Sequence, residues 1–167
     1  MPRTTTASVP SRAVMLLLLL AACPAAAADI TGRVVAVDSG DTIKLSVTDG
    51  RRLTVRLSDI GAPQGSGFYA PSSRQFLENM VLDKSVRVET SAGAEERVVG
   101  HVYRGLLDVN LELVKTGAAW YCLEYSNDTS YMPYQSDAIR HLRGLWSRTT
   151  TFDALVACRA NPPAVKS

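Results

Sequence analysis

A small β-barrel capped by helices is the fold class this sequence predicts, on three observations. Five short runs of β-branched and apolar residues are bounded by turn signals. One amphipathic helix falls between the third and fourth runs, and two more follow the fifth. Beyond residue 28 there is no internal repeat, low-complexity segment or interdomain linker, so the 167 residues hold one domain with extensions.

Gly32–Val37 and Thr42–Val47 read as the first two strands, and Asp49-Gly50 is a hairpin signal into a third over Arg51–Asp59. On the third, Leu53, Val55 and Leu57 share one face. Arg52, Thr54, Arg56 and Ser58 share the other, so Arg56 falls on a polar, accessible side. Gly61–Tyr69 reads as a loop. Pro71 then opens a helix with Phe76, Leu77, Met80 and Val81 as its apolar stripe. Ser85–Glu89 and Arg97–Tyr103 are the fourth and fifth strands, joined by an acidic turn. A second helix spans about Val109 to Thr116 with Gly117 as its C-cap. Pro133 opens a third, carrying Ala138, Ile139, Leu142 and Leu145 at helical spacing, and the tail after Ser147 reads as irregular. This mainly-β α+β order fits a five-stranded OB barrel with three helices. Element order alone leaves a two-layer sheet-and-helix domain open.

Residues 1–28 are expected to be a secretory signal peptide. Arg3 and Arg12 form a basic region, Ala13–Ala22 is an apolar run, and Ala25–Ala28 is a small-residue exit. The product would be exported, periplasmic or secreted. Leu20-Ala21-Ala22-Cys23 also fits a lipoprotein box with Cys23 acylated, the minority alternative because Pro24 follows the cysteine. No other segment approaches membrane-spanning length, and a monomer is expected, with its domain over 29–147 and a tail over 148–167. In an oxidising compartment Cys122 and Cys158 are expected to pair and tie the tail back, for about 3–4 kcal/mol on the loop-entropy account. Removing Arg3 and Arg12 with the leader brings the 18 basic residues to parity with the 16 acidic ones. Bulk charge therefore gives no support for tight polynucleotide binding, which draws on a basic footprint. His101 and His141 show no metal-ligand spacing and read as surface residues.

Several stretches in order resemble the staphylococcal-nuclease-like (thermonuclease) family. They are VVAVDSGDTIKL at 34–45, VRLSDIGAPQ at 55–64, ERVVGHVY at 96–103, VNLELVKTGAAW at 109–120 and LRGLW at 142–146. The resemblance runs from about Gly32 to Ser147 and implies calcium-dependent hydrolysis of nucleic-acid phosphodiesters. It places Asp41 on a calcium-binding aspartate beside Thr42, and Arg56 and Arg97 on the two arginines that clamp the scissile phosphate. Tyr125 falls where an aromatic lines the nucleotide pocket. It reads equally well as a tyrosine packed at the barrel mouth.

Several positions depart from that pattern. The family's Gly-Ile-Asp-Ala-Pro-Glu reads Asp59-Ile60-Gly61-Ala62-Pro63-Gln64 here. A calcium carboxylate is thus replaced by Gly61. The general-base glutamate is replaced by Gln64, which can orient water but cannot take its proton. Ser39 lengthens the spacing from Asp38 to Asp41, Glu95-Glu96 replaces the Tyr-Gly before Arg97, and the 65–70 loop carries no basic residue. Asp38, Asp59, Glu95 and Glu96 are the acids that remain as candidates to reach a metal. Weak calcium binding and impaired cleavage are expected. Gln64→Glu alone should recover little, and Gly61→Asp with Gln64→Glu more than the product of the two. Three functions stay open: an impaired exported nuclease, a non-catalytic nucleic-acid or nucleotide-binding module, and an envelope protein-interaction module. Retention of both arginines favours the first two, although strand-edge arginines paired with Asp38, Glu95 or Glu96 would look the same.

Overall fold

Strand β1 (Ala28–Ser39) is long enough to serve two partners, and this closes the barrel. Its first half pairs antiparallel with β5 (Ser85–Thr90), from Ala28↔Thr90 to Arg33↔Ser85. Its second half pairs with β2 (Thr42–Val47), with register shifts at Val34/Ala36 and Val37/Ser39 that bend the strand round the barrel. At the changeover, a Cβ on Gly32 would lie 2.6 Å from the Ser46 carbonyl oxygen, so only glycine fits. β2 pairs with β3 (Arg52–Leu57), β5 with β6 (Arg97–Arg104), and β3 with β6 in parallel. The circuit β3-β2-β1-β5-β6-β3 is a closed five-stranded barrel of OB type, as expected from the sequence.

This computed structural model describes residues 28–90, 96–126 and 128–160. Residues 1–27 of the expected leader, Cys23 among them, together with Glu95 and residues 161–167 of the tail, fall outside them. No helix among the described residues is long and apolar enough to cross a membrane.

Alternation places Leu53, Val55 and Leu57 inside, with Ile43, Leu45, Val86, Val88, Val98 and Val102. The third strand is shorter than the sequence implied. It stops at Leu57, and the chain turns at Asp59, whose φ is +64°, before a two-residue strand β4 (Ile60–Gly61). A short β7 (Leu107–Asp108) extends the sheet beyond β6.

Helix α1 (Ala70–Val81) has Pro71 in its first turn and buries Leu77 and Val81 against the barrel. Asp108 caps α2 (Val109–Thr116) by accepting from the Leu111 amide at 2.9 Å, and Gly117 ends it at φ +70°. β8 (Trp120–Tyr121) follows and pairs with β4. The third helix, α3 (Met132–Arg140), is cut short. Leu142 sits at φ +50° and is exposed, and Leu145 is buried from a separate 3-10 turn, Gly144–Ser147.

The tail is not irregular, and the α-helices among the described residues number four. Thr151–Ala160 forms α4, opened by Thr150, which exchanges hydrogen bonds with Asp153 in a capping-box arrangement. Cys158 on α4 is bonded to Cys122, with Cα atoms 5.7 Å apart, as expected from cysteine count and export. Around the disulfide, Trp120, Trp146, Leu145, Ala138 and Ala154 form a second apolar cluster outside the barrel.

Candidate active site

The turn between β1 and β2 places Asp41 under the outer face of β3, because Thr42 pairs with Arg56 and the Leu57 amide donates to the Asp41 carbonyl at 2.9 Å. The Asp41 side chain is 1% exposed and crowded with donors. Its Oδ1 accepts from Ser39 Oγ (2.7 Å), Thr42 Oγ1 (3.0 Å) and Gln64 Nε2 (2.9 Å). Its Oδ2 accepts from the Ala62 amide at 3.2 Å and lies 3.7 Å from Arg56 Nη2. The carboxylate offers acceptors, so the amide of Gln64 must turn its NH2 inward; the same nitrogen also reaches the Ala62 carbonyl at 3.2 Å.

Arg97 opens β6 opposite Thr54, and Val99 lies opposite Arg56. Paired residues share a face, so Arg97 and Arg56 lie on the same outer surface, two residues apart along the barrel. Arg97 is exposed, whereas the Arg56 side chain is 18% exposed and held beside Asp41.

These residues do not fit calcium. A calcium ion takes six to eight oxygens, several of them carboxylate. Here a single buried carboxylate, Asp41, already takes four hydrogen bonds and an arginine. Among the described residues no group of three or more His, Cys, Asp or Glu is arranged to hold a metal. Asp38 instead pairs with Lys44 Nζ at 3.2 Å on the surface. Asp59, carried round by its positive φ, faces His101 Nδ1 at 3.6 Å. Glu96 is exposed ahead of β6.

The vacancy at Gly61 is filled from elsewhere. A Cβ at Gly61 would lie 2.6 Å from Trp120 Nε1 and 3.2 Å from Cys122 Sγ. That indole nitrogen is buried with no hydrogen-bond partner among the described residues. An aspartate restored at Gly61 would therefore meet an occupied site. Tyr125 lies on the turn after β8, 37% exposed, with its amide on the Cys122 carbonyl.

A second polar cluster escaped sequence reasoning. His101 is not a surface residue; its side chain is 19% exposed, between Asp59 on one ring nitrogen and Asp108 on the other, each 3.6 Å away. Ser58 Oγ (3.2 Å) and the Tyr131 hydroxyl also reach the ring. Burial pulls the imidazole below its ordinary value, but Asp108, Asp59 and Glu89 outweigh it and raise the net value. For Asp108 burial acts upward, and contact with His101 and the Leu111 amide brings it below the usual range. Burial, then the surrounding carboxylates, push the Tyr131 phenol up. Asn110, fully buried at the start of α2, donates to the Ser58 carbonyl at 2.9 Å and accepts from the Val102 amide, fixing the turn that follows Arg56. Its one signal in the sequence is a polar side chain on the apolar face of a helix.

The chain is similar in sequence to known proteins. An uncharacterized endonuclease of Escherichia coli is 36% identical over 135 residues, 79% of this chain and 87% of that protein. A micrococcal nuclease of Shigella flexneri is 32% identical over 148 residues, 81% and 84% of the two chains. An uncharacterized endonuclease of Haemophilus influenzae is 34% identical over 118 residues, 70% of this chain, which spans 66% of that protein. The family model for staphylococcal nuclease homologues matches residues 54–148, from β3 through the 3-10 turn after α3. With barrel, arginines and matches in agreement, the chain belongs to the staphylococcal nuclease homologue family.

Proposed function

We propose that this protein recognises nucleic-acid phosphodiesters at the outer face of β3 and β6, and that its calcium-dependent cleavage is impaired. The observation that carries the reading is the Gln64 amide, hydrogen-bonded to Asp41 where a carboxylate would take the proton from water. Arg56 and Arg97 bring two guanidinium groups to one surface, suited to phosphate oxygens and to charge that builds up on phosphorus during in-line attack. A glutamine side-chain carbonyl can orient a water by accepting its hydrogen bond, but it cannot carry the proton away. Losing the base is typically worth 10²–10⁴-fold in rate. Asp41 is the one buried carboxylate at this surface among the described residues, too few for a calcium ion, so no step is assigned to the metal. The crowding of Asp41 also favours a second reading, a non-catalytic nucleic-acid-binding module. Export is part of the proposal, supported by the leader pattern and by cysteines placed to pair.

The test is cleavage of single- and double-stranded DNA and RNA by purified protein at high enzyme concentration, with calcium or with chelator. The expected result is cleavage at least about 10²-fold slower than by a relative with both acids intact, with binding lost in Arg56→Ala. Rapid calcium-dependent cleavage by the native protein would overturn the proposal.

A further inference from the structure

The loop from Gln64 into α1 carries an aromatic ring in open solvent. Phe68 is 74% exposed, although a ring of that size gains from burial wherever the fold can offer it. The loop is nevertheless well tied: the Gly67 amide donates to the Gln64 carbonyl at 3.3 Å and the Ala70 amide to the Gly67 carbonyl at 2.9 Å. Tyr69 meets the ring edge-on, centroids 5.0 Å apart at 83°, and its own hydroxyl is hydrogen-bonded to Ser147 Oγ at 2.5 Å. The Arg148 guanidinium lies 5.0 Å from the Phe68 centroid, is exposed, and makes no ion pair among the described residues. Phe68 is four steps along the chain from Gln64, at most about 14 Å even if fully extended.

We propose that Phe68 is a stacking platform for an unpaired nucleobase, with Arg148 contacting the phosphate of the same stretch of strand. The proposal rests on the phosphodiester reading above and names the form of nucleic acid that the site takes. A base inside a duplex hides both of its faces, so an outward ring finds a partner only in a strand whose bases are splayed. Charge parity of the chain beyond its leader argues the same way. Without a broad basic footprint, affinity needs a contribution that salt does not screen, and stacking supplies one. A ring already flanked by a cation and an aromatic edge is held in place before the base arrives, which lowers the ordering cost.

The experiment measures binding of labelled oligothymidine and of a blunt duplex in chelator, across a salt series, by fluorescence anisotropy. Phe68→Ala should weaken oligothymidine binding by about 5- to 100-fold, leave the salt slope and the duplex affinity unchanged, and keep the native Tm. Phe68→Trp should restore binding. Arg148→Ala should reduce the salt slope by about 0.7. Native-like oligothymidine affinity in Phe68→Ala would overturn the inference, as would an equal loss for duplex. Loss of self-association without loss of strand binding would also overturn it, by assigning the ring to a protein contact. If Arg56→Ala leaves native-like binding while Phe68→Ala abolishes it, the phosphodiester reading fails and the stacking site stands.

Discussion

At Gly61 the obstacle to restoring a carboxylate can be read from one distance. The Cβ of any larger residue would lie 2.6 Å from Trp120 Nε1, on a rigid indole packed against the disulfide. Overpacking of this kind typically costs about 1–3 kcal/mol. Gly61→Asp is therefore expected to lower stability by that amount in urea denaturation, and Gly61→Asp with Gln64→Glu to remain slow. Unchanged stability together with strong calcium-dependent activity in the double variant would show that the indole moves aside. Gln64→Glu on its own sets a second carboxylate against Asp41 at the place of a 2.9 Å hydrogen bond, so like charge replaces donor and acceptor.

Helix α4 shows what a sequence carries openly and what it hides. The barrel strands were legible because period-two alternation at Leu53, Val55 and Leu57 has a single reading. Gly117 was legible because left-handed backbone ends helices. Helix α4 was not, since Thr151–Ala160 has weak amphipathic periodicity; its one clear signal, Thr150 three residues ahead of Asp153, is short. The turn at Asp59 was hidden too, because continued alternation and a break look alike until φ is known. The same limit applies to the site: Asp41, Arg56 and Gln64 could be named singly, but which acid each donor reaches could not. The disulfide anchors α4 to the residue that follows β8, across a sequence separation of 36 residues. Cys158→Ser is expected to cost about 3–4 kcal/mol on the loop-entropy account and to alter emission from Trp120 and Trp146, which pack around that bond. An unchanged denaturation midpoint would show that α4 holds without it.

Over the whole molecule, His101 joins four parts: the turn after β3 through Asp59, β6 itself, the cap of α2 through Asp108, and the segment before α3 through Tyr131. Its folded value is raised, so its contribution is fully present below its ordinary value of about 6.5 and lost as pH rises through the folded one. Asp108 is depressed, so its contribution is present above its ordinary value of about 3.9 and lost as pH falls through the folded one. Stability from this cluster should therefore peak between those values and decline above about pH 6.5. In His101→Gln the alkaline decline should vanish from Tm measured against pH. An identical profile in both proteins would remove His101 as the cause.

The parallel pairing of β3 with β6 has a kinetic consequence. Arg56 and Arg97 become neighbours only when residues 54–57 meet residues 97–100, the contact that turns an open sheet into a barrel. Such a pairing closes a long loop before it returns any contact energy, so it is slow and belongs late in the ordering of events. The hairpins β1–β2 and β2–β3 can form from local sequence, whereas the two-arginine surface waits on the non-local pairing of β3 with β6. A refolding chain would form its local hairpins first, and would bring the two arginines side by side only once β3 meets β6.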